Sequence, residues 1–147
     1  MADSPPEFDK TEFSTSPVSQ RIEKPWGFEV LLSPPGQPYV SKLIHVDAGK
    51  RLSLQIHDVK VETQTLLAGK GILLLEDSSG QVRSIEMKPG VGYHVAVGQK
   101  HRLCAAPDSF AEVFESSSPE DGITYRLEDD YARPHEDADQ RRKERGG

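Results

Sequence analysis

Short runs of β-branched, aromatic and aliphatic residues recur along this chain of 147 residues, and turn-forming residues separate them. The runs fall at 26–32, 39–46, 53–57, 62–68, 71–76, 82–87, 91–97, 101–105, 110–116 and 123–128. A short helix is expected near 128–143, and no other segment keeps a helical period. Strands repeated about every 8–12 residues are typical of an antiparallel sandwich or barrel, so the sequence predicts an all-β fold.

The polar residues are concentrated at the two ends of the chain. Residues 1–20 and 134–147 are rich in Pro, Ser and charged residues and have no apolar periodicity. We therefore expect both segments to be disordered tails that the fold does not require. The remaining 21–133 should form one domain, which is long enough for a jelly roll and small for a doubly wound fold.

Charge and cysteine content restrict the partners and the compartment. The net charge is −6, and the one basic run, 141–145, is interrupted by acid, so we expect no nucleic-acid partner. A single cysteine excludes an internal disulfide framework and favours a reducing compartment. No apolar run approaches about 18 residues and the N-terminus has no signal pattern, so a cytoplasmic protein without a membrane partner is expected.

Four potential metal ligands lie on strand-like segments with glycines at turn positions. Gln55 and His57 are two residues apart and share one face of a strand. Glu62 opens what we take to be the neighbouring strand, and His101 opens a strand much later in the chain. One amide, two imidazoles and one carboxylate suit a divalent transition metal with open coordination positions. Zinc is expected, with manganese, iron, nickel or cobalt as alternatives. Taken singly, each residue is more typical of a core, surface or turn position than of a metal ligand.

The spacing of these ligands resembles the paired motifs of the cupin superfamily, G-x5-H-x-H-x(3,4)-E-x6-G and G-x5-P-x-G-x2-H-x3-N. The run from Glu62 to Gly69 and the run from Gly90 to His101 fit them. Gln55 replaces the first histidine of the motif, Ala96 its proline and Ala105 its asparagine. The resemblance implies a cupin-type double-stranded β-helix, or jelly-roll barrel, across 21–133.

Within the cupins, the chain looks like the type II mannose-6-phosphate isomerase domain. The likeness is carried by KPWGFE at 24–29, VSK at 40–42, GKRLSLQIH at 49–57, VGQKHRL at 97–103 and RLEDDYAR at 126–133. It departs after the metal carboxylate, where the family usually has Glu-His-Trp and this chain has Glu62-Thr63-Gln64. Gln64 should share the inward face of Glu62, so the substrate surface is changed while the metal site is kept.

The isomerase likeness implies roles for two cations, and two further residues are expected to contact the substrate. Arg133 would fix the anion of a sugar phosphate, and Lys42, on a half-buried strand, would assist proton transfer. Arg126 is a further candidate for the anion, and Gln64 would form part of the pocket wall. The alternative is that the arginines are solvent-facing charges paired with the acids at 128–130.

The leading hypothesis is a metal-dependent cupin enzyme that acts on a small polar, anionic metabolite, with aldose–ketose isomerisation of a sugar phosphate as the closest analogy. One alternative is a biosynthetic tailoring enzyme, such as a lyase, an epimerase or an iron-dependent oxygenase. Another is a barrel that binds a small molecule without catalysis. We also expect a homodimer with Trp26 near the interface, because a small barrel has exposed sheet edges to cover.

Overall fold

The computed structural model describes residues 3–146, and strands make up nearly all of its regular structure. Eleven strands, β1 to β11, and one helix, α1, follow one another along these residues. They are β1 Gln20–Lys24, β2 Gly27–Leu31, β3 Val40–Val46, β4 Leu54–His57, β5 Glu62–Gly69, β6 Gly71–Glu76, β7 Val82–Glu86, β8 Gly92–Val95, β9 His101–Ala105, β10 Ala111–Ser117, β11 Thr124–Glu128 and α1 Ala138–Glu144.

The strands form two antiparallel sheets whose inner faces share one core. The first sheet has the order β1-β2-β3-β10-β5-β8, and the second has the order β11-β4-β9-β6-β7. Leu66 and Val113 of the first sheet and Leu73 and Leu103 of the second are fully buried in one cluster. This is the jelly-roll barrel that the sequence predicts, and each predicted strand is present with its ends shifted by at most two residues.

The inner face of the first sheet changes from apolar to charged along three adjacent strands. On β3 the inward residues are Val46, Ile44 and then Lys42, and β10 pairs Val113 with Ile44 and Glu115 with Lys42. On β5 the series likewise runs from Leu66 to Gln64 and Glu62. One end of the barrel is therefore an apolar core, and the other end is lined by polar and ionisable side chains. That polar end positions the candidate site.

The described part of the N-terminal segment has no regular structure before the first strand begins. Residues 3–19 are exposed and contain no strand or helix. The sequence analysis did not anticipate β1, which pairs with β2 from Gln20↔Leu31 to Lys24↔Gly27. Its only buried apolar residue is Ile22, too weak a pattern to indicate a strand without its partner.

The C-terminal segment contradicts the expectation that 134–147 would not pack. In its described part, residue 136 pairs with Thr124 in an isolated bridge, and α1 follows with Asp137 as its N-cap. Glu144 and Arg145 then reach back to charged side chains of the barrel. Charges that would be solvated in an isolated tail here find opposite charges at the barrel mouth.

Trp26 lies in a different place from the one that the sequence analysis gave it. Its side chain is buried within the chain itself, in the same cluster as Ile44 and Leu103. It therefore supplies core packing rather than an apolar surface for a second copy. The homodimer stays a prediction, which light scattering checks. Within residues 3–146, no helix has the length and apolar character needed to cross a membrane.

Gly69, which ends β5 and closes the first cupin motif, should be irreplaceable. Its φ is +75°, and a Cβ there would collide with the carbonyl oxygen of Phe110. Gly36 is a matched control because its φ is +78° and nothing lies within 4 Å of an added Cβ. In urea unfolding, Gly69→Ala should lose about 3 kcal/mol and Gly36→Ala about 1 kcal/mol. Equal losses would contradict this packing.

Candidate metal centre and charged cavity

Three buried side chains meet at the polar end of the barrel. Nε2 of His57 is 2.7 Å from Oε1 of Glu62, and Nε2 of His101 is 3.2 Å from the same oxygen. These atoms form a group that could hold a metal ion. Metal–ligand bonds of about 2.0–2.2 Å put neighbouring ligand atoms about 3 to 3.5 Å apart, so the spacing fits.

The three side chains come from both sheets, which corrects one step of the sequence analysis. His57 is on β4 and His101 is on β9, which pairs with β4. Glu62 begins β5, which belongs to the other sheet. It therefore faces the histidines across the barrel rather than from an adjacent strand. The site holds the two sheets together at this end.

The outer nitrogens of both rings are held in ways that suit metal ligands. Nδ1 of His101 donates to the backbone carbonyl of Gln99 at 2.9 Å, since a carbonyl oxygen can only accept. In the neutral ring Nε2 then has a lone pair and no hydrogen, and it faces a carboxylate oxygen. Nδ1 of His57 lies 2.8 Å from the hydroxyl of Thr124, which can accept in the same way. Two nitrogen lone pairs and a carboxylate oxygen together form a set of ligand atoms that can bind a metal cation.

Gln55 lies at the metal centre, but its amide nitrogen, rather than its amide oxygen, faces His101. Nε2 of Gln55 lies 3.2 Å from Nε2 of His101, and its Oε1 accepts a 2.8 Å hydrogen bond from the Ser53 hydroxyl. Rotation of the amide by half a turn would present the oxygen to a metal. The Ser53 hydroxyl could then accept from the amide nitrogen. The structure thus places all four predicted ligands together, with Gln55 needing this rotation.

Charges around Glu62 keep it ionised despite its complete burial. Burial by itself would raise the pKa of Glu62, but the positive charge of Lys60 and polar contacts with Glu115, His101 and His57 hold that pKa well below its usual range. Burial, followed by the charge of Glu62, raises the pKa of Glu115. Burial is also the main reason that the pKa of His57 is lowered, which favours the neutral ring that a metal requires.

Next to this centre is a cavity of about 60 Å³ whose wall is mostly charged. Gln55 and His57 form part of its lining. The charged side chains that line it are Lys24, Glu29, Lys42, Lys60, Glu115, Glu120, Arg126, Arg133, Glu136 and Arg145. Metal-ligand candidates and potential anion contacts therefore share one enclosed space.

Lys42 points into this cavity from β3, as the sequence analysis expected. Its Nζ lies 3.1 Å from Glu120, 3.5 Å from Glu29 and 3.7 Å from Glu115. Burial tends to lower the pKa of Lys42, but the three carboxylates outweigh it and raise that pKa well above 10.5. The side chain is therefore held as an ammonium ion.

The two arginines from the C-terminal motif also reach the cavity. Arg126 makes two hydrogen bonds of 2.8 Å to the carboxylate of Glu144, and Arg133 binds Asp129 through two bonds of 2.9 and 3.1 Å. Burial by itself would raise the pKa of Glu144. The hydrogen bonds from Arg126 outweigh burial and lower that pKa to about 2. Arg51 is exposed and pairs with Asp130 outside the cavity.

Gln64 is buried on the inner face of β5, as alternation predicts. Its amide nitrogen donates to Oε2 of Glu62 at 3.1 Å. Its Oε1 is buried and has no hydrogen-bond partner among the described residues. Gln64 thus orients the metal carboxylate and retains an unused acceptor.

Several charged residues of the cavity were not singled out from the sequence. Glu29, Lys60, Glu115 and Glu120 are four of them, and each pairs with a partner distant in the chain. Alternation along β10 would have placed Glu115 on the same face as Val113. Lys60 and Glu120 lie outside the strands, where no period indicates the direction of a side chain.

The sequence matches no protein-family model and none of the curated proteins. Its structure is similar to that of CapF, the capsular polysaccharide assembling protein of Staphylococcus aureus, with a TM-score of 0.63 and 16% identity. It is also similar to a variant of the oxalate decarboxylase OxdC of Bacillus subtilis, with a TM-score of 0.65 and 18% identity. The fold is that of the cupins.

These likenesses concern one part of longer proteins. They cover 82% and 84% of this chain but 36% and 35% of CapF and OxdC, so the chain spans about a third of their length. At such low identity they establish the cupin fold. They do not test the likeness to the mannose-6-phosphate isomerases, which stays a prediction.

The metal centre predicts one divalent transition-metal ion per chain. His57→Ala combined with His101→Ala should reduce the metal content from about one ion to near zero, because two of four donors are lost. His45→Ala combined with His94→Ala is the matched control, since neither residue belongs to the cluster. Elemental analysis of the freshly purified proteins measures both. Full occupancy in the first variant would show that the site is misassigned.

Proposed function

We propose that this protein is a metal-dependent cupin enzyme that acts on a small, polar, anionic metabolite. Aldose–ketose isomerisation of a sugar phosphate is the reaction that its residues fit best. The observation that carries the proposal is the shared cavity, which is lined both by His57 of the metal centre and by the guanidinium groups of Arg126 and Arg133. That reaction needs a metal cation at the oxygens of the reacting carbons. It also needs cationic side chains that hold the phosphate at the far end of the substrate.

The roles of the side chains follow from their charges. A divalent ion held by Gln55, His57, Glu62 and His101 would polarise a substrate carbonyl. Arg126 and Arg133 offer planar groups of donors for a phosphate or carboxylate. Because the surrounding carboxylates favour its ammonium form, Lys42 is suited to donate a hydrogen bond to an oxygen that gains negative charge. Gln64 orients Glu62 and offers an acceptor to a substrate hydroxyl.

A second candidate is a tailoring reaction on a small carboxylate, such as a lyase reaction. Two observations favour it: the structural likeness to an oxalate decarboxylase, and Gln64 in the place of the tryptophan expected in the isomerase family. The same barrel could also bind such a molecule without reaction. Metal identity separates these candidates. Tightly bound iron with oxygen-dependent turnover indicates an oxygenase, and zinc with no redox activity supports an isomerase or lyase.

The proposed function predicts different kinetic effects for two cations. On a panel of sugar phosphates assayed with metal-loaded protein, Arg133→Ala should mainly raise KM, because it removes binding common to substrate and transition state. Lys42→Met should mainly lower kcat. Each change should be tenfold or more, since a hydrogen bond to a charged group contributes about 1.5–3 kcal/mol.

Arg83→Ala is the control for these variants, because Arg83 is exposed on β7 and is not among the residues that line the cavity. All three variants are first shown to be folded and to contain metal. If Arg133→Ala and Lys42→Met turn over like the parent on the substrate found, the assignment of both residues is wrong. Absence of turnover on every sugar phosphate, with metal bound, would instead favour the carboxylate reaction or simple binding.

A further inference from the structure

The carboxylate of Glu144, at the end of α1, lies among three cations of the barrel. It accepts two hydrogen bonds of 2.8 Å from Arg126, and it lies 3.6 Å from Nζ of Lys24 and 3.7 Å from Arg133. Lys24 ends β1, Arg126 is on β11, and Arg133 follows that strand. Paired N–H groups of an arginine around one carboxylate are the usual geometry of oxyanion recognition.

The helix that carries Glu144 is attached to the barrel by polar contacts. None of the residues of α1 is buried, and its sequence, ADQRRKE, contains one apolar residue. Arg141 binds Glu136 and the backbone carbonyl of Glu120, and Arg145 binds the carboxylate of Glu120 at 2.8 Å. Segments with little buried apolar surface open at low free-energy cost. The fit is also incomplete, since Nε of Arg145 is buried with no partner among the described residues.

With α1 in place, the cavity is too small for the substrate class proposed above. Its volume is about 60 Å³, whereas pockets for small molecules usually have about 300–1,000 Å³. A second, larger cavity of about 360 Å³ lies beside the helix and is lined by Leu31, Tyr39 and Arg141. Glu120 and Arg145 line both cavities. Movement of α1 would therefore enlarge the space next to the metal centre.

We infer that Lys24, Arg126 and Arg133 form an oxyanion subsite, and that Glu144 is an internal ligand which the carboxylate or phosphate group of a metabolite displaces. The exchange replaces one anion by another, so the three cations keep a counter-charge. It also withdraws Arg145, which follows α1 and lines the cavity, as the ligand enters. The inference rests on the proposed function for the identity of the metabolite, but the exchange itself needs no metal.

Inorganic phosphate and acetate test the exchange directly on the full-length, metal-free protein. The Kd for each ion is measured by calorimetry and by the emission of Trp26, the single tryptophan, which lines the cavity. Ionic strength is held constant with sodium chloride, because salt screens charge pairs. Tighter binding of phosphate than acetate would assign the subsite to phosphate esters, and the reverse order would assign it to carboxylates.

Glu144→Gln should tighten the Kd of the preferred ion by about tenfold, because it removes the charge of the competing carboxylate and keeps its shape. Asp139→Asn is the matched control: it removes one negative charge from the same helix, where Asp139 is exposed and pairs with Arg142. It should change the Kd by less than about twofold. Equal Kd values in the parent and Glu144→Gln, or equal gains in the two variants, would overturn the inference.

Hydrogen exchange of the parent protein gives a second, independent readout. The preferred ion should increase amide exchange in residues 138–146 if it displaces Glu144 and α1 with it. Binding of the ion without such an increase would refute the role of Glu144 as an internal ligand, even if the protein binds anions. If elemental analysis finds no bound metal, the proposed function is wrong but the anion exchange is not affected. The two proposals can therefore be refuted separately.

Discussion

The burial of charge at one end of the barrel is the constraint on which the rest of this structure depends. Ionised groups are costly inside a protein unless opposite charges and hydrogen bonds compensate them. Here Lys42 lies among three carboxylates, and Lys60 is paired with Glu115. The apolar end, with Leu66 and Leu73, supplies the burial that stabilises such an arrangement. The polar end is thereby free to carry ligands.

The metal centre belongs to the same balance of charge. Glu62 brings a carboxylate from one sheet, and His57 and His101 bring imidazole nitrogens from the other. Each ring is held from outside, by Thr124 and by the Gln99 carbonyl, so the inner nitrogens converge on one point without help from a ligand. Such preorganisation favours tight binding, because little side-chain freedom remains to be lost.

The C-terminal helix adds further ion pairs at the mouth of the barrel. Charged side chains at the end of the helix pair with those of the barrel: Glu144 pairs with Arg126, and the C-cap residue Arg145 pairs with Glu120. Contacts of this kind are strong in an enclosed space and exchange readily with other ions, unlike packed apolar side chains. A helix that is attached to the barrel by ion pairs can therefore cover the cavity and still give way to an anionic ligand.

Local patterns in the sequence were enough to predict the barrel, ten of its eleven described strands and the side chains that share a face on β4 and β5. The alternation of residues is a local property, and it placed Gln55 with His57 and Gln64 with Glu62 correctly. The position of Glu62 in the sheet opposite the histidines is visible only in the folded chain, because strand order depends on pairings distant in sequence. The packing of α1 on the barrel is likewise visible only there. A charged segment without apolar periodicity carries no local signal of its partners, which lie on strands far away in sequence.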